Sequence, residues 1–104
     1  MQAIADRMVT IIDRLEPGNS LEIKIERLVE NELIGRLARY ELVDRQLTRK
    51  YGLSFEEFRR NRVVEQGGYV FEVESDFWDW ELTLDGIATV QETLAALGGP
   101  NGGS

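Results

Sequence analysis

One apolar stripe of helical period constrains the fold of this 104-residue chain more than any other feature. From Leu21 to Lys50, apolar side chains recur at three- and four-residue steps, as on one face of an α-helix. The stripe comprises Leu21, Ile25, Leu28, Val29, Leu33, Leu37, Tyr40, Val43 and Leu47. Such a helix is about 45 Å long, which exceeds a compact domain whose radius of gyration is near 13 Å. We therefore expect a mostly α-helical protein that dimerises through this helix, because a second copy would cover the stripe.

Residues suited to helix ends border this stripe on both sides. Ser20 is a typical N-cap, and Gly52 suits the left-handed position after the last turn. The segment Ser54–Glu57 has the S-x-x-E pattern of a capping box and predicts a further, shorter helix. One alternative stays open at the start of the stripe. Residues 21–26 alternate strictly between apolar and charged, which is also compatible with a β-strand.

Shorter elements flank the long helix. Residues 2–15 have the pattern of an amphipathic helix, and the third helix is expected to run from Phe55 to the glycine pair Gly67–Gly68. Residues 69–74 alternate and favour a short extended segment, after which Ser75 caps a last helix reaching about Leu97. The chain thus divides into a helical dimerisation body over 1–66, an acidic-aromatic partner-binding segment over 67–97 and a flexible tail over 98–104.

The net charge of −7 is concentrated in the second part of the chain. Residues 1–62 contain all twelve basic residues and eleven acidic ones, a net charge of +1. Residues 63–104 contain eight acidic residues and no basic ones, a net charge of −8. Such asymmetry indicates a surface that meets a basic partner, although a solvated acidic end that maintains solubility is the plain alternative.

Composition argues against an enzyme. The chain has neither cysteine nor histidine, so the usual nucleophile–histidine pairs and zinc sites are excluded, and no cofactor or metal is expected. Paired carboxylates such as Asp76 with Asp79 or Glu81 with Asp85 are the only remaining acid–base or Mg²⁺ candidates. No apolar run is long enough to span a bilayer, and the N-terminus does not resemble a secretion signal. We expect a cytoplasmic protein that does not contact membranes.

Tryptophans stand among the acidic residues of the second part. On a helix Phe77 and Trp80 share the stripe that continues through Leu84, so Trp78 must point away from it. An exposed tryptophan surrounded by carboxylates suits a binding hot spot for a basic protein. The alternative is that both tryptophans pack on the protein's own helices. The candidate partner-binding residues are Glu74, Asp76, Phe77, Trp78, Asp79, Trp80, Glu81 and Asp85.

A second hypothesis is a DNA-binding regulator. Residues 46–62 show the order helix, glycine turn, helix, which DNA-binding helix-turn-helix motifs share. However, the second helix opens with Glu56 and Glu57, which repel phosphate. The candidate DNA-contacting residues are Arg45, Arg49, Lys50, Arg59, Arg60 and Arg62.

Two segments resemble a known family. The sequences KYGLSFEEF (Lys50–Phe58) and ESDFWDWE (Glu74–Glu81) are similar to motifs of small prokaryotic antitoxins of type II toxin–antitoxin systems. These are the TumA-like antitoxins, which are partnered with TumE-like ribonuclease-type toxins. The resemblance covers about residues 37–85, and the N-terminal helix has no counterpart in it.

The resemblance implies an antitoxin whose partner is a basic toxin encoded by an adjacent gene. The carboxylates of Asp76, Asp79, Glu81 and Asp85 would pair with the toxin's basic residues, while Trp78 or Trp80 would fill an apolar or base-binding pocket. Many antitoxins also bind their own promoter, so promoter DNA is a secondary expected partner.

Overall fold

The computed structural model describes the backbone of residues 2–16, 18 and 20–102, and the side chains of residues 5–16, 18 and 20–98. Within this part of the chain the regular structure consists of five α-helices and no strand, which confirms the mostly α prediction. The helices are α1 (Gln2–Leu15), α2 (Leu21–Tyr51), α3 (Phe55–Arg60), α4 (Val63–Gln66) and α5 (Phe71–Gly102).

Local capping sets both ends of α2. The Ser20 hydroxyl accepts a hydrogen bond from the backbone N–H of Ile23 at 3.3 Å. At the other end Gly52 adopts a left-handed conformation, with φ of 67°, and its N–H donates to the carbonyl of Thr48 at 2.8 Å. The alternating segment 21–26 is therefore helical, because the cap starts the helix directly before it.

The third predicted helix is divided in two. Its capping box is present, with the Ser54 hydroxyl accepting from the N–H of Glu57 and the Glu57 carboxylate accepting from the N–H of Ser54. However, α3 ends at Arg60, because Arg62 takes a left-handed conformation with φ of 52°. The chain turns there, and α4 then places Val63 and Val64 against the core.

The predicted extended segment over 69–74 is wrong, because α5 begins at Phe71 rather than after Ser75. Within that helix Val73 and Phe77, four residues apart, both pack against the core. Burial of this helical row overrides the β-forming pattern of the sequence. At its other end α5 reaches Gly102, five residues beyond the predicted end at Leu97.

Helices α2 and α5 form an antiparallel pair. Lys50 contacts Asp76, Asp44 contacts Trp80, and Tyr40 lies against Gly86, so numbers fall along α2 as they rise along α5. The main core lies at the C-terminal end of α2, where Leu47, Phe58 and Trp80 are buried together. Around them pack the partly buried residues Val43, Tyr51, Phe55, Val63, Val64, Val73, Phe77 and Leu84.

Gly86 permits the close approach of α5 to α2. A Cβ at this position would lie 2.6 Å from Cζ of Tyr40, well inside van der Waals contact. Helix α5 continues through Gly86 without a break. Because glycine has no side chain, the Tyr40 ring can occupy this space. The helix continues through the position although glycine has a low helical propensity.

The other end of α2 is covered much less. Asp13 of α1 pairs there with Lys24, and Glu16, which directly follows α1, pairs with Arg27 at 3.9 Å. The molecule measures 57 × 32 × 21 Å, with a radius of gyration of 19.6 Å, so it is elongated for its length.

The prediction that a second copy covers the whole stripe of α2 needs correction. Helix α5 of the same chain already covers the C-terminal half of the stripe, where Tyr40 and Val43 are partly buried and Leu47 is buried. In the N-terminal half Leu28 and Leu33 are partly buried, whereas Leu21, Ile25 and Val29 are exposed. Among the described residues of the stripe, these three exposed side chains are what the chain leaves for the predicted dimer to cover.

Candidate partner-binding surface

The two tryptophans of the acidic segment have opposite environments. Trp80 is completely buried, and its indole N–H donates to Oδ1 of Asp44 at 2.8 Å. Trp78 is 59% exposed, and its ring meets that of Phe77 in an edge-to-face arrangement with ring centroids 5.4 Å apart. The prediction that Trp78 points outward is confirmed, and Trp80 is unavailable to a partner while the core is intact.

Trp78 belongs to an apolar ridge on the outer face of α5. Phe71 precedes it by seven residues and Leu82 follows it by four, so helical geometry aligns the three side chains. Phe71 is 82% exposed and Leu82 is 67% exposed. Large apolar side chains arranged contiguously on a surface are typical of an interaction site, whereas isolated ones are common everywhere.

Carboxylates flank this ridge. Glu74, Glu81 and Asp85 stand four residues before, three after and seven after Trp78, so they lie along the same outer face. Asp79 is exposed on its other flank. We call the ridge and these four carboxylates the α5 outer surface.

A shallow hollow adjoins Trp78. It has a volume of about 180 Å³ and is lined by Val64, Glu65, Tyr69, Glu74, Phe77 and Trp78. This volume lies below the ~300 Å³ at which small-molecule pockets begin. The hollow therefore suits one side chain of a protein partner better than a cofactor, and its two carboxylates favour a basic side chain.

Other residues predicted to bind the partner are used inside the protein. Phe77 packs on Phe55 and Phe58, with ring centroids 5.6 and 6.3 Å away. Asp76 accepts hydrogen bonds from Nζ of Lys50 at 2.6 Å and from the hydroxyl of Tyr51 at 2.5 Å. Asp76, Phe77 and Trp80 thus hold α5 against the rest of the chain, and their role as contact residues for a partner stays a prediction.

Contacts among Asp76, Tyr51 and Lys50 shift the pKa of each of these three side chains. Partial burial acts to raise the pKa of Asp76, but the hydrogen bonds from Lys50 and Tyr51 outweigh it and hold the pKa below its usual value. Burial first, and then the hydrogen bond to Asp76, raises the pKa of Tyr51 to about 12. Hydrogen bonds to Asp76 and Glu72 raise the pKa of Lys50. At neutral pH Lys50 and Asp76 therefore form an ion pair, and the neutral phenol of Tyr51 donates a hydrogen bond to the Asp76 carboxylate.

The predicted DNA-binding element has the expected outline but little capacity to bind a duplex. Arg45, Arg49, Arg59, Arg60 and Arg62 are all exposed. Nζ of Lys50, by contrast, lies 2.6 Å from carboxylate oxygens of both Glu72 and Asp76, so its charge is neutralised. Helix α3 has six residues, about 9 Å of helix for a groove, and two of the residues in its first turn are glutamates.

Within the part of the chain that the structure describes, no three acidic side chains converge as a metal site would require. Among the same residues no helix has the length and apolar character needed to cross a membrane.

Sequence reasoning missed Phe71, Leu82 and Tyr69. The first two follow from Trp78 by helical spacing, but only if α5 begins before residue 75. Tyr69 lines the hollow because it takes a left-handed conformation, with φ of 58°, after the turn at Gly68. Nothing in the local pattern indicates that conformation for a tyrosine.

Comparison of the chain with protein-family models, with curated proteins and with solved structures found no significant match. The resemblance to antitoxins therefore stays a prediction, and the geometry of the α5 outer surface carries the functional argument.

Proposed function

We propose that this protein acts by binding a basic protein partner on the α5 outer surface, and that it does so as the antitoxin of a ribonuclease-type toxin. The exposed ridge Phe71–Trp78–Leu82, flanked by carboxylates, is the single observation on which the proposal rests. Tryptophan is enriched among hot-spot residues, and surrounding charges steer the encounter with a partner.

The sign of the charge indicates the kind of partner. No basic residue follows Arg62 in the sequence, so nothing on α5 itself offsets its carboxylates. A protein that cleaves RNA presents a basic surface to the phosphates of its substrate. An acidic helix with an apolar anchor would cover such a surface and exclude RNA from it. This second step also draws on the resemblance of Lys50–Phe58 and Glu74–Glu81 to antitoxin motifs.

The direct test uses the small open reading frame next to this gene. We expect its product to be basic and to arrest growth when expressed alone, and co-expression of this chain should restore growth. A neighbouring product that is acidic or harmless, or that does not bind this chain, would contradict the antitoxin proposal. Specific retardation of upstream DNA by this chain without any partner would favour the regulator instead.

Trp78 provides the test of the surface itself. Trp78→Ala should raise the dissociation rate of the complex at least about 30-fold, as for a hot-spot residue of about 2 kcal/mol. Leu42→Ala is the matched control, because Leu42 is 48% exposed on another helix, α2. Surface-plasmon resonance measures both rates. Equal effects of the two substitutions would show that Trp78 is not an anchor.

The carboxylates should act on a different rate. Neutralising Glu74, Glu81 and Asp85 together to the corresponding amides should lower the association rate about tenfold or more at low salt. The difference from the unaltered protein should shrink as the salt concentration rises, because screening removes the attraction in both. An effect that does not depend on salt would argue against charge steering.

A further inference from the structure

Two rows of exposed apolar side chains lie at the end of the molecule remote from Trp78. On α1 the row consists of Met8, Ile11 and Leu15, and on α2 of Leu21, Ile25 and Val29. Within each row the residues are three or four apart, so each row occupies one face of its helix. Their exposed fractions range from 41% to 59%, although all six are apolar.

A single chain provides little to hold α1 in place. None of the described hydrophobic side chains of α1 is buried, and a helix of 14 residues is marginal in water by itself. Its side chains are tied to α2 by the ion pairs of Lys24 with Asp13 and of Arg27 with Glu16. Lys24 is itself buried, but Asp13 and Arg27 are more than half exposed, and ion pairs with an exposed partner contribute little to stability. A surface of another molecule that packs on the two rows would explain why these exposed positions are apolar.

We propose that this surface is a second copy of the chain, and that the protein is a symmetric dimer through α1 and the N-terminal half of α2. This proposal is independent of the partner-binding function, because it uses other residues at the opposite end of α2. It also moves the dimer interface away from the half of α2 that α5 already covers.

The distribution of charge favours a second copy as the occupant. Residues 1–31, which contain both rows, carry four basic and six acidic side chains, a net charge of −2, so both signs are present on this part of the chain. A surface of mixed charge can be complementary to itself when a two-fold axis pairs each residue with a different one. The segment 63–104, with its net charge of −8, would instead repel its own copy.

The antiparallel pairing of α2 and α5 allows the chain to dimerise at one end and to bind a basic partner at the other. It places Glu72 and Asp76 beside Lys50, at the other end of a 31-residue helix from Leu21. That helix is about 46 Å long, several times the Debye length at physiological salt. Two copies joined at the Leu21 end therefore keep their acidic surfaces apart and free to bind partners.

The area is sufficient for a specific dimer. Six side chains about half exposed present roughly 80 Å² each, so the rows expose roughly 500 Å² of surface per chain. A symmetric pair would cover about 1,000 Å² before the polar rim is counted, which reaches the size at which specific interfaces begin.

Ile25 and Ile34 provide a matched test on one helix. They are nine residues apart, and therefore on opposite faces of α2, and their exposed fractions are 43% and 49%. Sedimentation equilibrium of the full chain should give twice the monomer mass of 11.9 kDa. Ile25→Glu should raise the dissociation constant of the dimer about 100-fold or more, because two charges would enter one interface. Ile34→Glu should leave the dimer unchanged.

Several outcomes would overturn the proposal. These are a monomer at all concentrations, a mass other than two copies, or equal dissociation by the two glutamate substitutions. If circular dichroism shows that Ile25→Glu unfolds α2, Ile25→Ala and Leu15→Ala replace it, and each should weaken the dimer measurably. Unchanged dissociation constants for both alanine variants would again refute the interface. Trp78→Ala should not alter the mass, which separates this test from that of the partner-binding surface.

Discussion

Replacing each tryptophan by phenylalanine in turn is the most informative perturbation of this fold. The two residues are two positions apart on α5, yet Trp80 is completely buried and Trp78 is 59% exposed. Each replacement keeps an aromatic ring on the helix, so differences in helical propensity stay small. The comparison therefore measures burial and hydrogen bonding rather than the helix itself.

The expected cost at Trp80 has two parts. Phenylalanine cannot donate to Asp44, and the loss of a hydrogen bond to a charged group costs about 1.5–3 kcal/mol. The smaller ring also leaves a gap among Tyr51, Phe55 and Phe58, whose ring centroids lie 5.4–6.2 Å from that of Trp80. Lost burial and the gap add about 1 kcal/mol or more. We expect Trp80→Phe to lower the free energy of unfolding by about 3 kcal/mol, and Trp78→Phe by less than about 0.5 kcal/mol.

Urea denaturation followed by fluorescence measures both values, because each variant retains one tryptophan as the probe. With a slope of about 1.5 kcal/mol per molar urea for a small domain, Trp80→Phe should lower the midpoint by about 2 M. The emission of Trp80 alone should lie at short wavelength and resist quenching by iodide, and that of Trp78 alone should do neither. Similar midpoint shifts for the two variants, or easy quenching of Trp80, would refute the described packing.

Three further predictions concern the contacts between α2 and α5. Gly86→Ala should destabilise the protein by up to about 2 kcal/mol in the same urea assay, because overpacking against Tyr40 exceeds the gain in helical propensity. Gly35→Ala is the matched control: the new Cβ would make only an ordinary contact, so this substitution should stabilise the protein by up to about 1 kcal/mol. The alkaline absorbance titration of the unaltered protein minus that of Tyr51→Phe should have its midpoint near pH 12. Because the pKa of Tyr51 is higher in the folded than in the unfolded chain, its contribution to stability should be lost as the pH rises from about 10 to about 12. The stability that Asp76 contributes is present above its unfolded pKa of about 3.9 and is lost as the pH falls through its lower folded pKa, so urea midpoints of the unaltered protein and Asp76→Asn should converge in acid. A constant gap between those midpoints at every pH would contradict the ion pair.

Local signals in the sequence predicted several helix ends correctly. Ser20, Gly52 and the Ser54–Glu57 box each act through hydrogen bonds that span three or four residues. A cap needs only its own turn to form, so it can be recognised without knowledge of the rest of the fold. The segregation of charge and the outward direction of Trp78 were visible for the same reason, because charge is additive and helical spacing is local.

Contacts between distant residues decided the rest. Helix α5 begins at Phe71 because Val73 packs in the core and Glu72 and Asp76 both reach Lys50, which is 22 and 26 residues away in sequence. The same packing buries Trp80 against Asp44, 36 residues away, places Phe77 against the core and pairs Asp76 with Lys50 and Tyr51. A local pattern shows which face of a helix is apolar, but it does not show whether another helix of the same chain will cover that face. In this protein α5 packs along α2, yet Leu21, Ile25 and Val29 of the same helix stay exposed, so only the tertiary structure separates the folding surface from the surfaces left to partners.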